Sequence, residues 1–180
     1  MNSTYPEMIA GGLLIVRLVI GTLMMGHATQ KLFGWLGGYG LTGTAGFFEQ
    51  LGFHPGRLFA AAASLGELVS GLLVTLGLFG PVGPALMISV MLVAILTVHL
   101  PNGLFAATNG VEVPLLYATA ALGLALTGFG AWSVDAALGL TSWGAPAVTF
   151  AVLAAGVVGG LANLGLRRLQ HETPVTANRA

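Results

Sequence analysis

The stretch MIAGGLLIVRLVIGTLMMG, Met8 to Gly26, decides the fold, because across its whole length it carries one charge, Arg17. As a helix rising about 1.5 Å per residue it nearly matches a hydrocarbon core about 30 Å thick. The same helix can run on to about Trp35. Four further apolar stretches follow, at about Arg57 to Phe79, Pro84 to Leu100, Val113 to Phe129 and Ala145 to Leu166. Glycine and proline mark the joins: Gly80-Pro81-Val82-Gly83-Pro84 reads as a tight turn, and Pro101-Asn102-Gly103 stops the third stretch.

Composition agrees. The 180 residues include 7 % charged and 56 % hydrophobic side chains and 28 glycines, with a mean hydropathy of +0.90. A soluble protein carries roughly 25 % charged residues, so a water-exposed exterior cannot be built from six basic and six acidic side chains. A net charge of zero offers no dense basic patch, so no nucleic-acid partner is expected. Cysteine is absent; the chain can hold no disulfide, thiolate-bound cluster or persulfide of its own. The expected fold class is all-α: a polytopic transmembrane helix bundle, with a four-helix core and a fifth C-terminal transmembrane helix, whose first partner is the lipid bilayer.

Charge placement sets the expected topology. The N-terminal residues lack a basic run ahead of the first apolar stretch, so that stretch reads as a retained span. Apart from Arg17, the basic residues are Lys31, Arg57, Arg167, Arg168 and Arg179. With five spans all of them fall on one side; with four they divide. The positive-inside rule therefore predicts a multi-pass protein of the plasma (inner) membrane, N-terminus outside and C-terminus cytoplasmic. Gly37 to Pro55 is too polar to span. Within it, Thr44 to Leu51 is expected to form a short amphipathic helix at the interface, near Trp35, Tyr39, Phe47 and Phe48.

Two charges fall at membrane depth. An arginine at a span's centre costs about 2.5–3.5 kcal/mol, and the nine Leu, Ile and Val residues from Ile9 to Leu23 roughly offset it at about 0.3–0.6 kcal/mol each. Arg17 lies about ten residues before the first loop and Glu67 about ten after it, so an antiparallel pair of spans is expected to join them. Ala63 and Gly71 beside Glu67 would let the helices approach. Such a pair either fixes helix register or floors a site for a polar or quinone-like group.

A second cluster sits toward the loops. His27, Gln30 and Lys31 follow at helical spacing; His99 ends the third span; Asn102, Asn109 and Glu112 precede the fourth. In any up-and-down bundle these ends share one face, and the opposite face has little beyond Asp135. Each residue also has a structural explanation: Lys31 reaching to the interface, Glu112 at a helix N-terminus, His99 satisfying a carbonyl. Arg17, His27, Gln30, Lys31, Glu67, His99, Asn102 and Glu112 are the candidate pocket residues, with no catalytic residue assigned. Haem between His27 and His99 would need both rings level across a cavity, and no metal-ligand spacing accompanies them; neither haem, a covalent cofactor nor a metal is expected. His54 and His171 read as solvated.

The run His27-Ala-Thr-Gln-Lys-Leu-Phe-Gly-Trp-Leu-Gly-Gly38 resembles the signature of the DoxX family of small bacterial membrane proteins. Arg17, Gly66-Glu67, His99-Leu-Pro-Asn-Gly103, Glu112 and Gly128-Phe-Gly-Ala-Trp-Ser-Val-Asp135 fit it in order. The resemblance implies a DoxX-like membrane domain over residues 1–140, with 141–180 an additional span and short basic tail, since the family core has four helices. It further implies a component of a membrane redox system, an oxidoreductase complex subunit in quinone-linked or thiosulfate- and thiol-linked electron transfer or oxidative-stress defence. That role brings a quinone as the bound cofactor, a redox partner protein, and life as an oligomer or complex subunit; whether the chain is itself an enzyme stays open. The alternative is a non-enzymatic membrane scaffold, assembly subunit or small-molecule binding protein whose polar cluster is structural. A transporter fits less well, for want of a paired repeat or broken helix.

Overall fold

The computed structural model describes residues 4–167, and among these every regular element is helical. Seven α-helices occur: α1 (Thr4–Phe33), α2 (Gly40–Gln50), α3 (Gly56–Leu76), α4 (Val82–Ala94), α5 (Glu112–Thr127), α6 (Val134–Leu138) and α7 (Pro146–Gly165). Helix α4 continues through a π-helical turn, Ile95–His99, and a 3-10 turn, Leu100–Asn102. The stretches Pro6–Phe33, Gly56–Leu76, Val82–Asn102 and Pro146–Gly165 are long and apolar enough to cross a membrane; α5 is shorter. The chain is a multi-pass helical membrane protein.

Small residues set the packing directions. Gly21 of α1 lies against Gly71 and Thr75 of α3, and Gly71 against Met25, so α1 and α3 are antiparallel. A Cβ on Gly71 would come within 2.6 Å of the Gly21 carbonyl oxygen, so only glycine permits this approach, the usual device where no hydrophobic effect pulls helices together. Gly83 of α4 meets Leu73 and Val74, and Gly66 of α3 meets Val90: α3 and α4 are antiparallel. His27 of α1 stacks edge-on against Tyr117 of α5, while Gly130 just beyond α5 meets Leu13, so α5 also opposes α1. The core between these four helices is Met24, Val74, Met87, Met91, Tyr117, Ala121, Leu124 and Phe129.

Helix α7 packs outside that core on α4. Gly156 lies on Ala85 and Gly160 on Ser89, so the two helices run parallel. Their starts coincide as well, for Trp143 packs on Phe79 and Gly80. A chain that leaves α4 on one face and enters α7 on the other must cross between them. Helix α5 makes that crossing: its 16 residues span about 24 Å, from the level of His27 to that of Leu13. The ends of α1, α4 and α7 and the starts of α3 and α5 thus share one face, which we call the loop face.

Arg17 and Glu67 do not meet, contrary to the expectation from their distance to the loop. Helix α1 runs unbroken to Phe33, so Arg17 lies level with the far end of α3. There the guanidinium is 2 % exposed and donates to five carbonyls: Val74 (3.3 Å), Thr75 (3.2 Å) and Leu76 (3.4 Å) of the last turn of α3, and Phe129 (2.7 Å) and Trp132 (3.1 Å) beyond α5. It also lies over the Phe129 ring. A helix C-terminus leaves its last carbonyls unpaired and negatively polarised; Arg17 satisfies them and ties α1, α3 and the α5–α6 loop together. Gly77, in the left-handed conformation that ends α3, leaves the room, since a Cβ there would sit 2.8 Å from the Arg17 Cζ. Asp135 finishes this end by accepting from the Phe79 (2.9 Å) and Gly80 (2.7 Å) amides.

Arg17→Met should therefore destabilise the bundle by about 3 kcal/mol or more, lowering the melting temperature in detergent; an unchanged value would contradict the clamp. The parallel register of α4 and α7 has its own check. Since the chain has no cysteine, a Ser89→Cys/Gly159→Cys pair, where a Cβ on Gly159 would lie 4.0 Å from the Ser89 Oγ and meet nothing closer, should oxidise readily to a disulfide, whereas Leu96→Cys/Gly159→Cys, two turns further along α4, should not.

Candidate functional site

Glutamate 67 is buried among helices, 1 % exposed, and its partner is Lys31: the ammonium of α1 forms an ion pair and hydrogen bond with Glu67 Oε1. Lys31 lies roughly 21 Å further along α1 than Arg17, which is why the lysine reaches this carboxylate and the arginine does not. The second oxygen, Oε2, is buried with no hydrogen-bond partner. A buried carboxylate oxygen left unpaired is costly. The pair therefore has an unsatisfied acceptor beside a half-buried ammonium.

Both side chains line a cavity of about 840 Å³, within the range that holds a small organic ligand. Helix α3 forms one wall with Ala63, Gly66 and Glu67, and α4 forms the floor with Ser89, Val90, Val93 and Thr97; α7 contributes Gly159 and Asn163, and α2 covers it with Thr44, Phe47 and Phe48. Most of this lining is apolar. The π-helical turn at Ile95–His99 puts Thr97 and His99 on the cavity side; π-turns recur at functional sites because the extra residue re-aims the side chains that follow. Thr97 Oγ1 is spent on the Val93 carbonyl at 2.8 Å. The His99 ring is held by Nδ1 against the Asn109 carbonyl, 2.8 Å away; a carbonyl only accepts, so Nδ1 carries the hydrogen.

Helix α2 is the amphipathic segment expected at the interface, and it is also a wall. It is fixed by Thr44 Oγ1 donating to the Lys31 carbonyl (3.3 Å), by Glu49 Oε1 accepting from the Gly56 amide (3.2 Å), and by Arg167 Nε donating to the Leu51 carbonyl. Phe53, fully buried, stacks between Phe48 and Phe59 and seats the turn into α3.

Of the eight candidate pocket residues, Lys31, Glu67 and His99 come together on the cavity wall, and the other five do not line it. Arg17 belongs to the clamp at the opposite end. His27 is exposed, its ring 5.8 Å from that of Tyr117. Gln30 Nε2 donates to the Leu36 carbonyl (3.1 Å) and shapes the loop after α1. Asn102 Nδ2 donates to the Val98 carbonyl (2.9 Å), and Glu112 Oε2 accepts from the Ala106 amide (2.7 Å), so both brace the loop before α5. These four sit on the loop face, as the sequence places them, but Gln30, Asn102 and Glu112 build the loops there and His27 packs on α5. His54 is exposed; His171 lies outside the described residues. The sequence reading missed Ser89, Thr97 and Asn163 as lining residues. Asn163 left a signal, being one of two polar side chains, with Thr149, in α7.

Among the described residues no three His, Asp or Glu side chains gather as metal ligands. No curated protein and no solved structure matches the chain. The DoxX family model matches residues 12–100, which takes in α1 to α4 with the ion pair and His99, and leaves out α5, α6 and α7. The bundle, its membrane-crossing helices and this match agree: residues 12–100 form a DoxX domain, and the chain is an integral membrane protein of DoxX type.

Proposed function

We propose that the cavity binds the head group of a quinone, and that the protein serves as a component of a membrane redox system. The observation that carries the reading is the buried, unpartnered Glu67 Oε2 beside the Lys31 ammonium, in the wall of an otherwise apolar cavity. An apolar ring with a polar oxygen matches that lining: the ammonium donates to a ring oxygen, and Oε2 accepts from the same oxygen when it carries a proton. The quinone supplies reversible electron and proton chemistry. The residues of this chain supply binding and a proton path: Glu67 takes the proton at Oε2, and His99, whose Nδ1 carries a hydrogen, keeps Nε2 free to exchange one toward the loop face. Thiolates are absent, so electrons would pass to or from a redox partner protein. The oligomer or complex that this implies is part of the proposal.

One observation favours the scaffold reading: the loop before α5 is exposed yet internally braced through Asn102, Thr108 and Glu112. A preordered loop suits docking of a partner at low entropic cost. It is compatible with the quinone reading, since a redox partner needs such a surface.

The orientation we infer places the loop face in the cytoplasm. Lys31, Arg57 and Arg167 lie on that side, and Glu7 and Asp135 on the other, which is the positive-inside arrangement for a plasma-membrane protein.

Two outcomes check these proposals. Decylubiquinone should bind the purified protein in a thermal-shift or calorimetric titration, and Lys31→Gln should weaken it about tenfold or more, the loss of one charged hydrogen bond; His27→Ala, outside the cavity, should leave binding unchanged. Equal binding by wild type and Lys31→Gln would contradict the site. For orientation, a membrane-impermeant maleimide applied to intact cells should label Ala131→Cys at once and His54→Cys only after permeabilisation; the reverse pattern inverts the topology.

A further inference from the structure

The cavity has a second polar side, supplied by the helix that lies outside the DoxX match. Helices α3 and α7 flank α4, so Glu67 and Asn163 stand on facing walls with α4 as the floor between them. Gly66 lies against Val90 and Gly160 against Ser89. Asn163, one turn beyond Gly160, thus falls within about one turn of the depth of Glu67. Asparagine is a costly residue in a membrane helix unless it finds a partner. Among the described residues its carboxamide makes no hydrogen bond, and it lines the cavity half-buried. The Ser89 hydroxyl, on the floor next to Gly160, lines the same side.

We infer that Asn163, assisted by Ser89, is a second hydrogen-bonding station, so that the site selects ring ligands with oxygens on opposite edges over ligands with one. The near oxygen meets Lys31 and Glu67. The far oxygen meets the Asn163 carboxamide, which can donate or accept and so tolerates both a carbonyl and a hydroxyl. Val90, Val93 and Ala63 between the stations pack on the ring faces. A site that hydrogen-bonds a particular oxygen rejects analogues lacking it, because its own polar group is then stranded. This inference rests on the quinone reading and makes α7 the specificity helix of that site.

The test compares dissociation constants of decylhydroquinone and decylphenol, which share ring and tail but differ by one oxygen, for the full-length protein in detergent. Wild type should prefer the hydroquinone about tenfold. Asn163→Leu should erase that preference while leaving decylphenol affinity unchanged, and Ser89→Ala, the milder variant, should reduce it. Glu67→Gln should weaken both ligands. No preference in wild type, or a preference kept in both Asn163→Leu and Ser89→Ala, overturns the second station, and the first still stands if Glu67→Gln loses both ligands. If wild type binds neither compound, the second station and the quinone reading fall together.

Discussion

Every charge placed in hydrocarbon must be answered by protein, and this molecule answers two of them in opposite ways at its two ends. At one end Arg17 is saturated: five carbonyls surround the guanidinium and leave it nothing for a ligand. At the other, Glu67 has one oxygen on Lys31 and the other on nothing. A saturated buried ion is architecture. An unsaturated one in the wall of a cavity is the ground on which the proposed quinone site stands, and the rest of the bundle holds it there: α1 must run straight through to Lys31, α3 must keep Gly71 against Gly21, and α4 must hold α7 at the distance that leaves the cavity open.

Hydropathy and punctuation made the helices legible. Long apolar runs separated by Gly-Pro turns leave few alternatives in lipid, and the charge distribution favoured five crossings over four, in accord with the parallel run of α4 and α7. The gathering of His27, Gln30, Lys31, His99, Asn102 and Glu112 on one face followed from topology alone.

The partners were not legible, and the reasons are physical. Counting residues back from the loop placed Arg17 and Glu67 at equal depth, but the count assumes that both helices end where the polar segment begins. Helix α1 carries its last polar turn, with Lys31, inside the packed structure. Nor does a sequence show that an arginine can be satisfied by main-chain carbonyls, which every residue has. The π-turn at Ile95–His99 shifts the phase by one residue, so helical spacing misjudges which side chains of α4 face the cavity. Asn163 could have been noticed as a polar group in an apolar helix, yet only the packing of Gly156 and Gly160 on α4 turns it toward Glu67.

The most direct test of the account is a double-mutant cycle on Lys31 and Glu67, read as melting temperature in detergent. Lys31→Met and Glu67→Leu alone should each be strongly destabilising, because each strands a buried or half-buried charge, and the double variant should recover much of the loss. The parallel cycle of Arg17 with Glu67 should be additive. Additivity at Lys31 and Glu67, with coupling at Arg17 and Glu67, would show that the carboxylate answers to the arginine after all.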